Sequence, residues 1–159
     1  MANWCLNTIL INGPREDVSV IYKSLEEYKD EIKSKEKEPG MNPFNIGALI
    51  KSKFSDKLPE FTEDDYALSY NNFIEDYTYL EGAYNDKAYL AIRSESPLVS
   101  HMYALVKLID VGFPKCRINY KLRKLDESRF YFPEWYYYNY NKSGYYMSDE
   151  DEYKTIKLL

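Results

Sequence analysis

The chain is poor in the residues that metal and covalent chemistry need. Its 159 residues include two cysteines, Cys5 and Cys116, and one histidine, His101. A structural zinc site takes a tetrahedral set of Cys or His ligands. Three candidates without a CxxC pair argue against one, and no metal or cofactor is expected. A nucleophilic thiol needs a neighbouring base. Nothing in the spacing of Cys5 and His101 brings them together, so the expectation is an inert, packed thiol and no enzyme activity. Glycine is also scarce, at six residues. Neither GxxxxGK[ST] nor GxGxxG occurs, so no phosphate-cradling loop is visible.

Long apolar runs are missing as well. No stretch approaches the roughly 18 apolar residues of a membrane span, and the N-terminus lacks a basic region followed by an apolar core. These absences, with the two distant cysteines, point to a soluble protein of a reducing cytoplasm. The formal net charge of -5 argues against general affinity for phosphate backbones.

Tyrosine is abundant, at 18 residues. Its hydroxyl needs a partner when buried, so it suits half-exposed contact surfaces. The densest aromatic run, "FYFPEWYYYNYNKSGYY", lies near the C-terminus.

Periodicity gives an element order. "NTILING" alternates, with Ile9 and Ile11 on one side, and Gly13-Pro14 stops it; a first strand is expected there. Val18, Ile21, Tyr22, Leu25, Tyr28 and Ile32 repeat at helical spacing, and Glu16 and Asp17 suit the first turn of that helix. Residues 38–72 show no clean period and read as an irregular insertion that packs back on the domain through scattered apolar anchors, with one short helical turn. "FIEDYTYLEGAYNDKAYLAIRS" reads as a hairpin turning at Gly82–Asp86. Ser96-Pro97 reads as the start of a second helix, with Leu98, Val99, Met102, Leu105, Val106 and Ile109 buried and Gly112 and Pro114 at its end. "KCRINYKLRK" alternates again, with Cys116, Ile118, Tyr120 and Leu122 on one face and Arg117, Asn119, Lys121 and Arg123 on the other.

The resulting order is β-α-insertion-β-β-α-β, the ferredoxin-like α+β pattern: an antiparallel sheet with two helices on one face. It spans residues 1–125. Residues 126–159 are an aromatic and acidic extension, expected to pack on the same domain.

The opening "NWCLN" and its continuation to Gly13-Pro14 resemble the start of the Api-like proteins, a family from phages and prophages; Asn3, Trp4, Cys5, Asn7, Gly13 and Pro14 carry the likeness. Phe44 with Leu58-Pro59 is similar to a later segment of that family, and Ser96-Pro97 to another. Where members carry a tryptophan-rich stretch before the hairpin, this chain has "YNNFIEDYTYL". The resemblance implies a ferredoxin-like domain and a phage or mobile-element origin, and no mechanism. Trp4 and Cys5 are then expected to plug the core ahead of the first strand, with Asn3 and Asn7 hydrogen-bonding nearby backbone.

Two binding surfaces follow. The first would hold a bacterial host protein, a counter-defence target such as a nuclease complex in the sharpest form. Acidic residues Glu63, Asp64, Asp65, Asp149, Glu150, Asp151 and Glu152 could stand in for phosphates on a basic groove, and Trp135, Tyr136, Tyr138 and Tyr140 could give contact area. The second is a single-stranded RNA surface on Arg117, Lys121 and Arg123, with Tyr79, Tyr89 and Trp135 as stacking rings.

Overall fold

The computed structural model describes residues 4–34, 43–97, 102–124, 135–141 and 144–147; residues 4, 5, 97, 120–124, 135–141 and 144–147 are described by backbone alone. Strand β1 (Trp4–Pro14) leads directly into helix α1 (Arg15–Ser34). Two helices follow, α2 (Ile46–Phe54) and α3 (Glu63–Ala67). The hairpin of β2 (Phe73–Glu81) and β3 (Lys87–Pro97) leads to α4 (Tyr103–Gly112), then β4 (Arg117–Lys124), β5 (Trp135–Asn141) and β6 (Gly144–Met147). The fold is α+β.

The sheet order is β2-β3-β1-β4-β5-β6. Every neighbouring pair is antiparallel. Central β1 pairs with β3 on one side and β4 on the other, so β1 and β2 are joined across β3, and β3 and β4 across β1. Helices carry both crossings. Helix α1 packs on β1 and β3, α4 on β4, and α2 lies against both α1 and α4.

The two periods in the sequence explain the core. Ile9 and Ile11 of β1, Leu90 and Ile92 of β3 and Ile118 of β4 are fully buried in one cluster with Val18, Ile21 and Leu25 of α1 and Leu105, Leu108 and Ile109 of α4. Burying each such aliphatic side chain is worth about 1.5–3 kcal/mol. Tyr28 joins this cluster while its hydroxyl donates to the Pro43 carbonyl at 2.9 Å. The hairpin closes through Gly82 N–H to Lys87 O at 2.8 Å, and Arg15 braces it by donating to the Gly82 and Asn85 carbonyls at 2.9 and 3.0 Å.

Four expectations change. Trp4 and Cys5 do not precede the first strand; they are part of it, opposite Pro97 and Ser96. Their burial lies outside the described side chains. Among the described residues, the Asn7 amide bonds side chains rather than backbone. It is buried, and its amide nitrogen donates to the hydroxyls of Ser94 and Ser96 at 3.2 and 3.1 Å. Ser96-Pro97 does not start a helix either: both finish β3, because Ser96 is a fully buried partner of Asn7. Helix α4 begins at Tyr103 instead, and its stripe of Met102, Leu105, Val106 and Ile109 is buried as the spacing requires. Leu98, Val99 and His101 lie outside the described residues.

The insertion is the fourth. It holds α2, a 3-10 turn at Ser55–Lys57 and α3. Asn45 caps α2 by accepting from Ala48 N–H at 2.8 Å. Ile46, Leu49, Ile50 and Phe54 then enter the core. Gly47 lets α2 meet the end of α3: a Cβ there would lie 2.3 Å from the Tyr66 carbonyl oxygen.

Candidate functional site

The acidic run Glu63-Asp64-Asp65 is the first turn of α3. Asp65 belongs to a capping box: its carboxylate accepts from Thr62 N–H at 2.8 Å, while the Thr62 hydroxyl accepts from Asp65 N–H at 3.4 Å. Glu63 pairs with Lys51 of α2 and accepts from the Tyr70 hydroxyl at 2.6 Å. The Lys51 bond, then the Tyr70 bond, hold the Glu63 carboxyl below its ordinary range, and the same carboxylate raises Lys51. Glu63 and Asp65 therefore serve the local fold, and Asp64 is exposed beside them. Asp149, Glu150, Asp151 and Glu152 lie outside the described residues.

Beside this run lies a cleft of about 390 Å³. Its floor and walls come from Leu58, Pro59 and Phe61 of the segment before α3 and from Tyr103, Lys107 and Val111 of α4. The α4 residues are spaced by four, so they form its outer stripe, opposite the buried one. Tyr103 is 43% exposed and Val111 58%. The Tyr103 ring stacks on Phe61, with centroids 5.5 Å apart and planes 4° apart. Lys57 and Lys107 stand at the rim with Glu60 and Asp65. The Lys57 ammonium lies 5.1 Å from the centroid of the Phe113 ring, which is itself edge-on to Phe54. A cleft with aromatic walls and charges of both signs suits one or two apolar side chains of a polypeptide. Sequence reading missed this site. The available signal was the outer stripe of α4, where Tyr103 and Val111 repeat at the spacing of a helix face although the opposite face is already apolar.

The basic strand lies on the other side of the sheet. Pairing sets Arg117 opposite Asn12, Lys121 opposite Thr8 and Arg123 opposite Leu6, all out of phase with core-facing Ile9 and Ile11. Arg117 is exposed, as its alternation requires. Asn119 departs from that alternation. It is 6% exposed and neighbours Leu10, 1% exposed, whose other partner Ala91 is also buried. The aromatic set splits between registers. Trp135 is opposite Arg123, whereas Tyr136, Tyr138 and Tyr140 are opposite Leu122, Tyr120 and Ile118. Tyr79 faces the helices, stacked on Tyr22 at 4.5 Å between centroids, so it is no ring for the basic strand. Tyr89, opposite Asn12, does share its side.

Covalent chemistry finds little footing among the described residues. Cys116 is buried, and that burial, helped by the Asp17 carboxylate, pushes its thiol up to about 12. A thiol so protonated is a poor nucleophile. No group of His, Cys, Asp and Glu among the described residues could hold a metal ion. No helix among them is long and apolar enough to cross a membrane.

No protein-family model matches the chain, and a search of curated proteins finds no match to it.

Proposed function

We propose that this chain is a non-catalytic protein-binding module that takes a partner segment in the cleft between Leu58–Phe61 and α4. One observation carries the reading: an exposed ring, Tyr103 at 43%, stacks on half-buried Phe61 beside Val111 at 58% exposure. Exposed apolar side chains grouped around a depression mark interaction sites, and aromatic residues dominate the energetics of such contacts.

The strand order and all-antiparallel pairing of β1 to β4 support reading the first part of the chain as ferredoxin-like, with β5 and β6 extending that sheet. The opening motif, similar to Api-like phage proteins, supports a bacterial protein of the host cytoplasm as partner, a defence nuclease complex being the sharpest candidate. In this form Asp65 of the acidic run lines the cleft, and the run does not serve as a phosphate mimic, because Glu63 and Asp65 already have local partners.

The test is capture of host proteins from a bacterial lysate on the wild-type chain and on Tyr103→Ala/Val111→Ser. A protein held by the first and released by the second supports the cleft. Equal recovery on both removes it.

A further inference from the structure

We infer, resting on the reading of the cleft between Leu58–Phe61 and α4 as a docking site, that its occupant is a polypeptide segment with an apolar residue flanked by charges of opposite sign. The acidic residue lies toward Lys57 and the basic one toward Glu60 and Asp65.

The cleft has two unlike ends because its walls run in opposite directions. Phe61, at the end of the loop wall, stacks on Tyr103, the first residue of α4. Lys57, at the start of that wall, lies against the last residue of α4: a Cβ added to Gly112 would stand 3.0 Å from Lys57 Cδ. Tyr103 and Gly112 are the two ends of the helix, about 13.5 Å apart along its axis.

Each end carries a charge held in place. At the Gly112 end, Lys57 has its stem against α4 and its ammonium 5.1 Å from the centroid of the Phe113 ring. At the Tyr103 end, Asp65 is fixed by Thr62, the neighbour of Phe61. The Thr62 N–H and hydroxyl both donate to Asp65 Oδ2, at 2.8 and 3.1 Å, so Oδ1 keeps its capacity to accept. Glu60, the residue before Phe61, is exposed and lines the cleft as well. Lys107 stands on α4 one turn from Tyr103 and one from Val111. Among the described residues, none of Lys57, Lys107, Glu60 and Asp65 is in an ion pair. The charges of the cleft do not neutralise one another, which leaves them to a partner.

Between the ends the lining is Leu58, Pro59, Tyr103 and Val111. An apolar side chain seated there puts its flanking residues at the two charged ends, a span of about four residues of extended chain. A wholly basic segment would bring a cation to Lys57, and a wholly acidic one would bring carboxylates to Asp65 and Glu60. Such like-charge contacts discriminate against the wrong partner. The cleft thus selects by the order of charges rather than by their sum.

The experiment selects random peptides from a phage library on the wild-type chain, with depletion on Tyr103→Ala/Val111→Ser. Selected peptides should carry an acidic and a basic residue about four positions apart, with an apolar or aromatic residue between them. The most enriched peptide is then synthesised and titrated by fluorescence anisotropy. Changing its acidic residue to lysine should weaken binding to the wild-type chain by about threefold or more at low salt, and Lys57→Glu should restore it. Changing its basic residue to glutamate should weaken binding likewise, and Glu60→Lys should restore it. Restoration by the opposite charge is a readout that unfolding cannot mimic, and thermal midpoints near wild type show that the variants are folded. A library that yields no peptide, or only peptides that bind the wild type and the cleft variant alike, would overturn the docking site and its charge order together. Cleft-dependent peptides of one charge sign or none, or charge reversals that Lys57→Glu and Glu60→Lys fail to restore, would overturn the charge order and leave the docking site standing.

Discussion

Phe61 and Tyr103 lie face to face, 5.5 Å between centroids and 4° from parallel. One belongs to the loop before α3 and the other opens α4, so the stack ties the insertion to the last helix of the core. It does so at the surface, where the outer side of the Tyr103 ring meets solvent. Such a pair is worth about 0.5–1.5 kcal/mol beyond its buried area. Tyr103→Ala is therefore expected to cost little more than that in a denaturant titration while removing partner capture. A loss of several kcal/mol would assign Tyr103 to the core instead.

Gly13 is pinned against Cys116. A Cβ at Gly13 would stand 2.8 Å from the Cys116 Sγ and 2.9 Å from its Cα. Backbone must shift to admit it, so Gly13→Ala should destabilise by about 1–3 kcal/mol. Removing the sulfur leaves the clash with the backbone of residue 116 in place, so Cys116→Ala should rescue Gly13→Ala only in part. Equilibrium denaturation of the single and double variants checks this, and full rescue would contradict it.

Asn7 holds two buried hydroxyls at once. Removing its amide in Asn7→Ala takes a donor from each of the buried Ser94 and Ser96 hydroxyls, at an expected cost of about 1–3 kcal/mol. Asn7→Ala/Ser94→Ala/Ser96→Ala should recover part of that loss, since the two hydroxyls that lose the Asn7 donor go too. A triple variant no better than the single one would show that the amide matters for packing alone.

Alkaline pH should unfold the chain early. The Cys116 thiol rises from 9.0 to about 12 in the fold, through burial first and the Asp17 carboxylate second. The folded state thus keeps a proton that the unfolded state gives up near 9.0. The sign follows: this stabilisation is complete below the unfolded value and drains away as pH climbs through the folded one. Buried Tyr28 is raised in the same direction by its burial. Thermal midpoints of wild type and Cys116→Ala, compared from neutral to alkaline pH, should converge at the alkaline end if Cys116 supplies its share. Parallel curves would remove it.

Much of this architecture is legible in the sequence because both of its periods are strong. Ile9, Ile11, Val18, Ile21 and Leu25 sit where alternation and helical spacing put them, and the hairpin turns where Gly82, Asn85 and Asp86 permit. The short helices were hidden for a physical reason. Helices α2 and α3 are nine and five residues long, too short for a period to emerge, and their signals are the caps Asn45 and Thr62. Asp65 reads as surface charge until its capping partner is seen. Asn119 reads as exposed from alternation alone, yet it is buried with Leu10. Pairing across to β1 also kept Ser96 in a strand, overriding a good local helix start. The cleft was invisible for a related reason: Phe61 and Tyr103 meet only through the tertiary fold.

The measurement that reaches the central claim most directly is quantitative mass spectrometry of bacterial lysate proteins retained by the immobilised chain and by Tyr103→Ala/Val111→Ser. The account predicts at least one protein retained by wild type and lost from the cleft variant, with both baits folded. A retained set that does not change when the cleft is emptied of Tyr103 and Val111 would contradict it.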